Sequence, residues 1–117
     1  WLDISENGLA SGESISGHPA SPGVTEGIAR VVLTPADLGN VESGEILVCP
    51  IIAPSWTPVF SRVRGIVTNV GGIMSHASIV CREFKIPAVV GTGFATQLIK
   101  TGQKIKLDGT KGDVKII

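Results

Sequence analysis

The sequence predicts an α/β domain with a central, mostly parallel sheet and an antiparallel margin. Three observations carry that expectation. Short, uninterrupted apolar runs at 46–49 and 87–90, with a further strand at 65–69 between them, have the composition of strands covered on both faces, as in parallel sheets joined by helices. Segments with helical spacing or helix-start chemistry fall between them. The C-terminal end instead alternates polar and apolar residues about an Asp108-Gly109 turn, which reads as an antiparallel hairpin.

Taken in chain order, residues 1–17 are polar, with Ser and Gly at intervals, and are read as a linker or irregular N-terminal arm before a domain spanning 18–117. The run 28–33 (Ile-Ala-Arg-Val-Val-Leu) is the first strand. Thr34 caps a short helix that has Pro35 at its first position and closes at Gly39. The strand at 46–49 leads into a loop surrounded by Pro50, Pro54 and Pro58, and Thr57 then caps a short helix to Val63. The strand at 65–69 runs directly into Gly71-Gly72, a strand-to-helix junction. A helix follows from about Ser75 to Phe84, with Ala77, Ile79, Val80 and Phe84 spaced to form one buried face. After the strand at 87–90, a last helix over 94–100 stops at Gly102, and 104–107 pairs with 114–117.

The 117 residues make one domain, long enough to bury about two-thirds of its unfolded surface. Apolar residues are 43%, charged residues 17%, and formal net charge is zero, so the basic excess that nucleic acid or an anionic membrane requires is lacking. There is no 18-residue apolar run and no signal-peptide pattern. The chain opens on Trp1 rather than Met, which is read as a domain excised from a longer protein. Cys49 and Cys81 make no disulfide framework and are read as buried free thiols in a reducing cytoplasm.

The chemistry concentrates at 71–83, Gly-Gly-Ile-Met-Ser-His-Ala-Ser-Ile-Val-Cys-Arg-Glu. This order sets an imidazole at a helix N-terminus, where unpaired N–H groups and a partial positive charge favour phosphate. A free imidazole has a pKa of about 6.5, so at neutral pH most of it carries the lone pair that attacks phosphorus. His76 is the candidate nucleophile. Gly71 and Gly72 let main chain pass where a side chain would block a partner or phosphate. Ser75 either caps the helix or donates to phosphoryl oxygens. Arg82 lies about 240° around the helix from His76, off the imidazole's face, and is read as a structural salt-bridge partner or, as the family resemblance of this motif implies, as a docking or phosphate contact. A metal site is not expected, since Cys81 is rotated about 140° from His76 and only one other histidine, His18, exists. His18, before Pro19, is read as an incidental loop residue. No Walker sequence is present, and the sequence neighbours Ser75 and His76 diverge too far to act as a hydrolase pair.

Residues 71–82, followed by Glu83 to Gly91, resemble the phosphohistidine signature of the PEP-utilising enzyme family, in which a mobile swivelling domain carries a phosphoryl group. Residues 17–23 with 27–32 resemble that domain's opening, and 46–48 through Ser55-Trp56-Thr57-Pro58 with 65–72 its middle. The resemblance implies a three-layer β/β/α swivelling fold and a phosphocarrier phosphorylated on His76. It also implies an ATP-grasp-type nucleotide-binding domain as one partner, holding ATP and Mg2+, and an acceptor-substrate domain as another; this domain itself binds no cofactor and turns over nothing alone. In dikinase-like members the nucleotide yields AMP and phosphate. Pyruvate phosphate dikinases and PEP synthases usually carry a regulatory threonine where this chain has Met74. That departure, with 55–58, looks more like the rifampicin-phosphotransferase branch and leaves pyruvate, an antibiotic hydroxyl or a phenol as acceptor. The alternatives are a non-catalytic interaction module of the same fold and Enzyme I of the sugar phosphotransferase system, which would carry a helical insertion not visible between these strands.

Overall fold

Four parallel strands form the centre of the molecule, and their position follows from residues that are apolar on both sides. A computed structural model of the chain describes residues 12–52, 59–72 and 75–117, except for the side chains of Pro35, His76 and Ala77. The described strands are β1 (Ser14–Ser16), β2 (His18–Ser21), β3 (Val24–Val31), β4 (Ile46–Cys49), β5 (Gly65–Thr68), β6 (Ala88–Val90), β7 (Lys104–Asp108) and β8 (Asp113–Ile116). Helix α1 is His76–Phe84 and α2 is Ala95–Leu98, and a 3₁₀ helix spans Pro35–Asn40. The strand order is β1-β8-β7-β3-β4-β5-β6-β2. Strands β3, β4, β5 and β6 are parallel neighbours, and the pairs on either margin are antiparallel. The expected parallel centre is therefore present, with an antiparallel margin on both sides.

Every residue of β4, β5 and β6 is buried. Successive side chains of a strand point to opposite faces, and the core divides accordingly. Leu47, Cys49, Ile66, Ala88 and Val90 join the cluster that contains Cys81 of α1, with Phe60 and Val63. Ile46, Val48, Val67 and Val89 join the other, with Ile105, Leu107, Val114, Ile116 and Ile99. One face is thus covered by the helix and the other by the β7–β8 hairpin. Strand β3 joins the two sheets: residues 24–28 pair with β7, and residues 29–31 pair with β4. The result is a β/β/α arrangement of layers.

Several elements depart from the sequence expectation, each for a tertiary reason. β3 begins at Val24 rather than Ile28, because Val24 to Ile28 find partners on β7. β1 and β2 were not foreseen. They are the two edges of the sheet, where a strand needs no continuous apolar pattern and Pro19 is tolerated. Residues 14–16 of the expected irregular arm thus pair with β8, while residues 1–11 lie outside the described residues. His18 lies in β2 rather than in a loop. The segment after Thr34 is a 3₁₀ helix without a side-chain cap bond; the Thr34 hydroxyl donates instead to the Asp37 carboxylate at 3.3 Å. Of the helix expected over 57–63, Thr57 and Pro58 are outside the described residues, and 59–61 form a 3₁₀ turn. α2 is one turn rather than seven residues, since Ile99 is already extended and the Gln103 side chain takes the Lys100 N–H.

Both cysteines are buried free thiols. Burial pushes the Cys81 thiol up to about 12, against a partial offset from Arg82, and drives Cys49 higher still. Both therefore stay protonated and unreactive near neutrality. Among the described residues no helix is long and apolar enough to cross a membrane, and no cluster of His, Cys, Asp and Glu is arranged for a metal.

A bidentate ion pair also joins β3 to the residue that precedes β4. Arg30 donates through Nε and Nη2 to the two Glu45 carboxylate oxygens, both at 2.9 Å, and the Glu42 N–H adds a bond at 2.8 Å. Glu45 is 8% exposed. Its hydrogen bond from Arg30 holds its carboxyl below the usual carboxylate range, against the cost of burial. A depressed folded pKa stabilises the native state above the unfolded value of about 4.3, and that contribution is lost as pH falls through the folded value. Glu45→Gln is expected to cost about 2 kcal/mol of unfolding free energy at pH 7. The gap between wild type and variant, measured by urea denaturation, should narrow on acidification below about pH 4.

Candidate functional site

β5 ends at Thr68, and the chain turns through Asn69, Val70, Gly71 and Gly72 before α1 begins at His76. Gly71 has φ +125, a backbone conformation that glycine adopts without a Cβ penalty. A Cβ built on Gly72 meets no described atom within 4 Å, so that position opens outward. The turn is held from both sides. Thr68 Oγ1 donates to the Val70 carbonyl at 2.8 Å, and the Val70 N–H donates to the Pro50 carbonyl at 3.0 Å. Asn69 uses both ends of its amide on Thr96, donating to Oγ1 at 2.7 Å and accepting from the backbone N–H at 3.0 Å. The hydroxyl and the N–H of Thr92 both donate to the Thr68 carbonyl.

The helix start is built from two serines. Ser75 is the N-cap, in extended backbone geometry, and its Oγ accepts from the Ser78 N–H at 3.3 Å. Ser78, fully buried, donates its hydroxyl to the Gly72 carbonyl at 2.6 Å. The two hydroxyls are 2.9 Å apart. Since the Ser78 proton is committed to Gly72, the Ser75 hydroxyl donates to Ser78 Oγ. In this arrangement the Ser75 hydroxyl serves the cap, one of the two roles open to it from sequence. The Gly72 carbonyl also accepts from the Ser75 N–H at 3.0 Å, so one carbonyl anchors both serines.

His76 is the first helical residue, with Ala77 second. At these positions the helix supplies no carbonyl four residues back, so backbone N–H groups and the positive end of the helix dipole meet there. The structure thus places Gly71, Gly72 and Ser75 together at the helix start beside His76. It places Arg82 elsewhere. Arg82 lies six residues, about 9 Å, along the helix, and its Nη1 donates to the Ala20 carbonyl on β2 at 2.7 Å. The buried face of α1 also differs from expectation. Among the described side chains of α1, Ser78 and Cys81 are fully buried and Val80 packs against the core as expected, whereas Ile79 and Phe84 are 41% and 46% exposed. The small side chains let the helix lie close on the sheet, and Phe84 instead meets the edge of Phe60 at the helix end, ring centroids 5.8 Å apart. Met74 lies outside the described residues.

Sequence reasoning missed Ser78, Asn69, Thr68 and Thr92, which act through buried hydrogen bonds that no spacing rule reveals. It also set His18 aside. A Cβ on Gly91 would fall 2.6 Å from the Gly71 carbonyl oxygen and 2.7 Å from His18 Cδ2, so the second imidazole lies against the backbone that flanks the glycine turn.

Comparison with known proteins identifies relatives of the chain. Residues 41–112 match the family model described as PEP-utilising enzyme, mobile domain. The chain is 49% identical over 105 residues to the rifampicin phosphotransferase of Bacillus cereus, covering 90% of this chain and 12% of that protein. It is 45% identical over 102 residues to a probable phosphoenolpyruvate synthase of Staphylothermus marinus, covering 86% of this chain and again 12% of the relative. The chain thus spans about an eighth of the length of these curated relatives. Among solved structures, Enzyme I (nEIt) superimposes with a TM-score of 0.60 at 35% identity, covering 68% of this chain and 33% of that one.

The two-serine cap has a measurable consequence. Ser75→Ala is expected to lower unfolding free energy by about 1 kcal/mol, with Ser75→Asp recovering most of it. Urea denaturation followed by far-UV circular dichroism measures both.

Proposed function

Because this chain belongs to the PEP-utilising enzyme mobile-domain family, we propose that its eight-stranded domain, β1 included, is a swivelling phosphocarrier that is transiently phosphorylated on His76. The supporting observation is the position of His76 at the first turn of a helix whose start is locked by Ser75, Ser78 and Gly72. A phosphoryl group on that imidazole adds negative charge at the positive end of the helix, where charge is favoured. In the first half-reaction a ring nitrogen lone pair of neutral His76 forms a bond to phosphorus as the bridging P–O bond of the donor breaks, and the leaving oxygen keeps the electron pair. In the second, an acceptor oxygen attacks phosphorus, the N–P bond breaks and the imidazole regains its lone pair.

Gly71 supplies the positive φ of the turn, Gly72 leaves open space beside it, Ser75 fixes the helix start, and Arg82 ties α1 to β2. Donor and acceptor reside on other units: an ATP-grasp-type nucleotide-binding domain holding ATP and Mg2+, and an acceptor domain. The short share of each relative that this chain covers supports such a division of labour. The relatives named for rifampicin and for phosphoenolpyruvate bracket the acceptor class, and a cytoplasmic setting suits ATP as donor and the two free thiols. By itself the domain accepts and yields phosphoryl groups without net turnover.

Incubated with labelled ATP and the nucleotide-binding unit of its own protein, the domain is expected to acquire acid-labile, alkali-stable label. His76→Ala should abolish it and His18→Ala should not. Label persisting on the His76→Ala variant would refute the assignment.

A further inference from the structure

The stretches of sequence that contain β4, β5 and β6 and lead away from them toward the start of α1 carry no charged residue. Residues 46–61, 65–81 and 86–99 run through β4, β5 and β6 into the segments that follow each strand, and they contain none of the chain's ten Lys and Arg or ten Asp and Glu residues. The segments that leave these strands are bonded to one another. Val70 donates to the Pro50 carbonyl at 3.0 Å, Thr92 to the Thr68 carbonyl at 3.1 Å, and Gly93 to the Asn69 carbonyl at 2.9 Å. They hold three large apolar side chains in solvent: Ile51 at 57% exposure, Val70 at 58% and Phe94 at 60%. A soluble surface ordinarily intersperses charges of both signs, and these three stretches supply none. Uncharged apolar surface of this kind marks a contact with another macromolecule.

We propose that Ile51, Val70 and Phe94 form a docking rim beside the start of α1, and that its occupant is the phosphoryl-donating protein unit, which presents an uncharged apolar collar around a cationic phosphate pocket. The proposal rests on the carrier reading and adds to it the chemistry of the contact. The rim is continuous with the glycine turn that leads to His76, so a unit that reaches the imidazole covers the rim as well. A charge on the rim would have to be stripped of water at every docking, and an acidic one would also repel the phosphates of the donor. With the rim neutral, this domain meets the phosphoryl charge only with the helix start, and the cations that balance a triphosphate come from the partner. Three apolar anchors give a small contact, suited to a domain that must dock and leave. Such docking responds little to ionic strength, whereas docking steered by charge weakens steeply with salt.

The test uses the full-length product of the gene, incubated with ATP labelled at its β and γ phosphates, with the initial rate of label reaching His76 as readout. Val70→Asp and Phe94→Asp, both at solvent-exposed positions, are expected to lower that rate by about tenfold or more, and Phe94→Leu to keep most of it. Lys106→Glu, exposed on β7, should label at the wild-type rate. Raising KCl from about 50 to about 500 mM should change the wild-type rate by less than about threefold. Wild-type rates in both aspartate variants, or a steep loss of the wild-type rate with salt, overturn the docking rim while label on His76 leaves the carrier reading standing. A wild type that takes no label overturns the carrier reading and the rim with it.

Discussion

Two hydroxyl groups and one carbonyl fix the start of α1. Ser78 is buried on the sheet side of the helix and gives its proton to the Gly72 carbonyl, while Ser75 gives its own to Ser78 and accepts the Ser78 N–H in return. Each bond is modest alone, on the order of 1 kcal/mol net. Together they close a ring between the last turn residue before the helix and its first turn, inside a site that excludes water from Ser78. The position of the His76 backbone follows from that ring, because the strand before it cannot shift: β5 is buried on both faces and paired on both sides.

A strand enclosed in this way has only its ends available for chemistry. The parallel order of β3, β4, β5 and β6 brings the carboxyl ends of neighbouring strands to one edge, where open α/β sheets commonly place their ligands. At that edge the backbone carbonyls of Thr68, Asn69 and Pro50 are taken up by neighbouring loops rather than left to water. The loops thereby form one surface instead of three independent tips. Ionic interactions are arranged elsewhere, as in the Arg30–Glu45 pair that joins β3 to the residue preceding β4. The segments that leave β4, β5 and β6 beside the imidazole's helix thus carry no charge of their own.

Much of this was legible in the sequence, for definite reasons. β4 was found at its observed limits and the long β5–turn–α1 unit to within a residue, because burial on both faces writes an unbroken apolar run and Gly-Gly before Ser writes a junction. The edge strands β1 and β2 were not found, since an edge is defined by its partner: Ser14–Ser16 exists as a strand because β8 is beside it. Apolar spacing locates Val80 on the core side of α1 but not Ser78 and Cys81, which the close approach to the sheet selects, and it puts there Ile79 and Phe84, which stay partly exposed. At the site, residue types disclosed Gly71, Gly72, Ser75 and His76. The arrangement of Arg82 against the Ala20 carbonyl, 62 positions away in sequence, and the closeness of His18 to the glycine turn depend on tertiary contacts that no local pattern records.

The central claim is that the imidazole at the helix start accepts phosphorus and that the first-turn backbone receives the added charge. With only two histidines in the chain, treatment of the isotope-labelled domain with phosphoramidate, followed by 31P and 1H–15N NMR, tests it most directly. The account predicts a single phosphoramidate signal on His76, with the amide resonances of residues 76–78 moving and the β7–β8 hairpin unchanged. Phosphorylation of His18 in preference to His76, or a phosphorylated His76 whose first-turn amides do not respond, would contradict it.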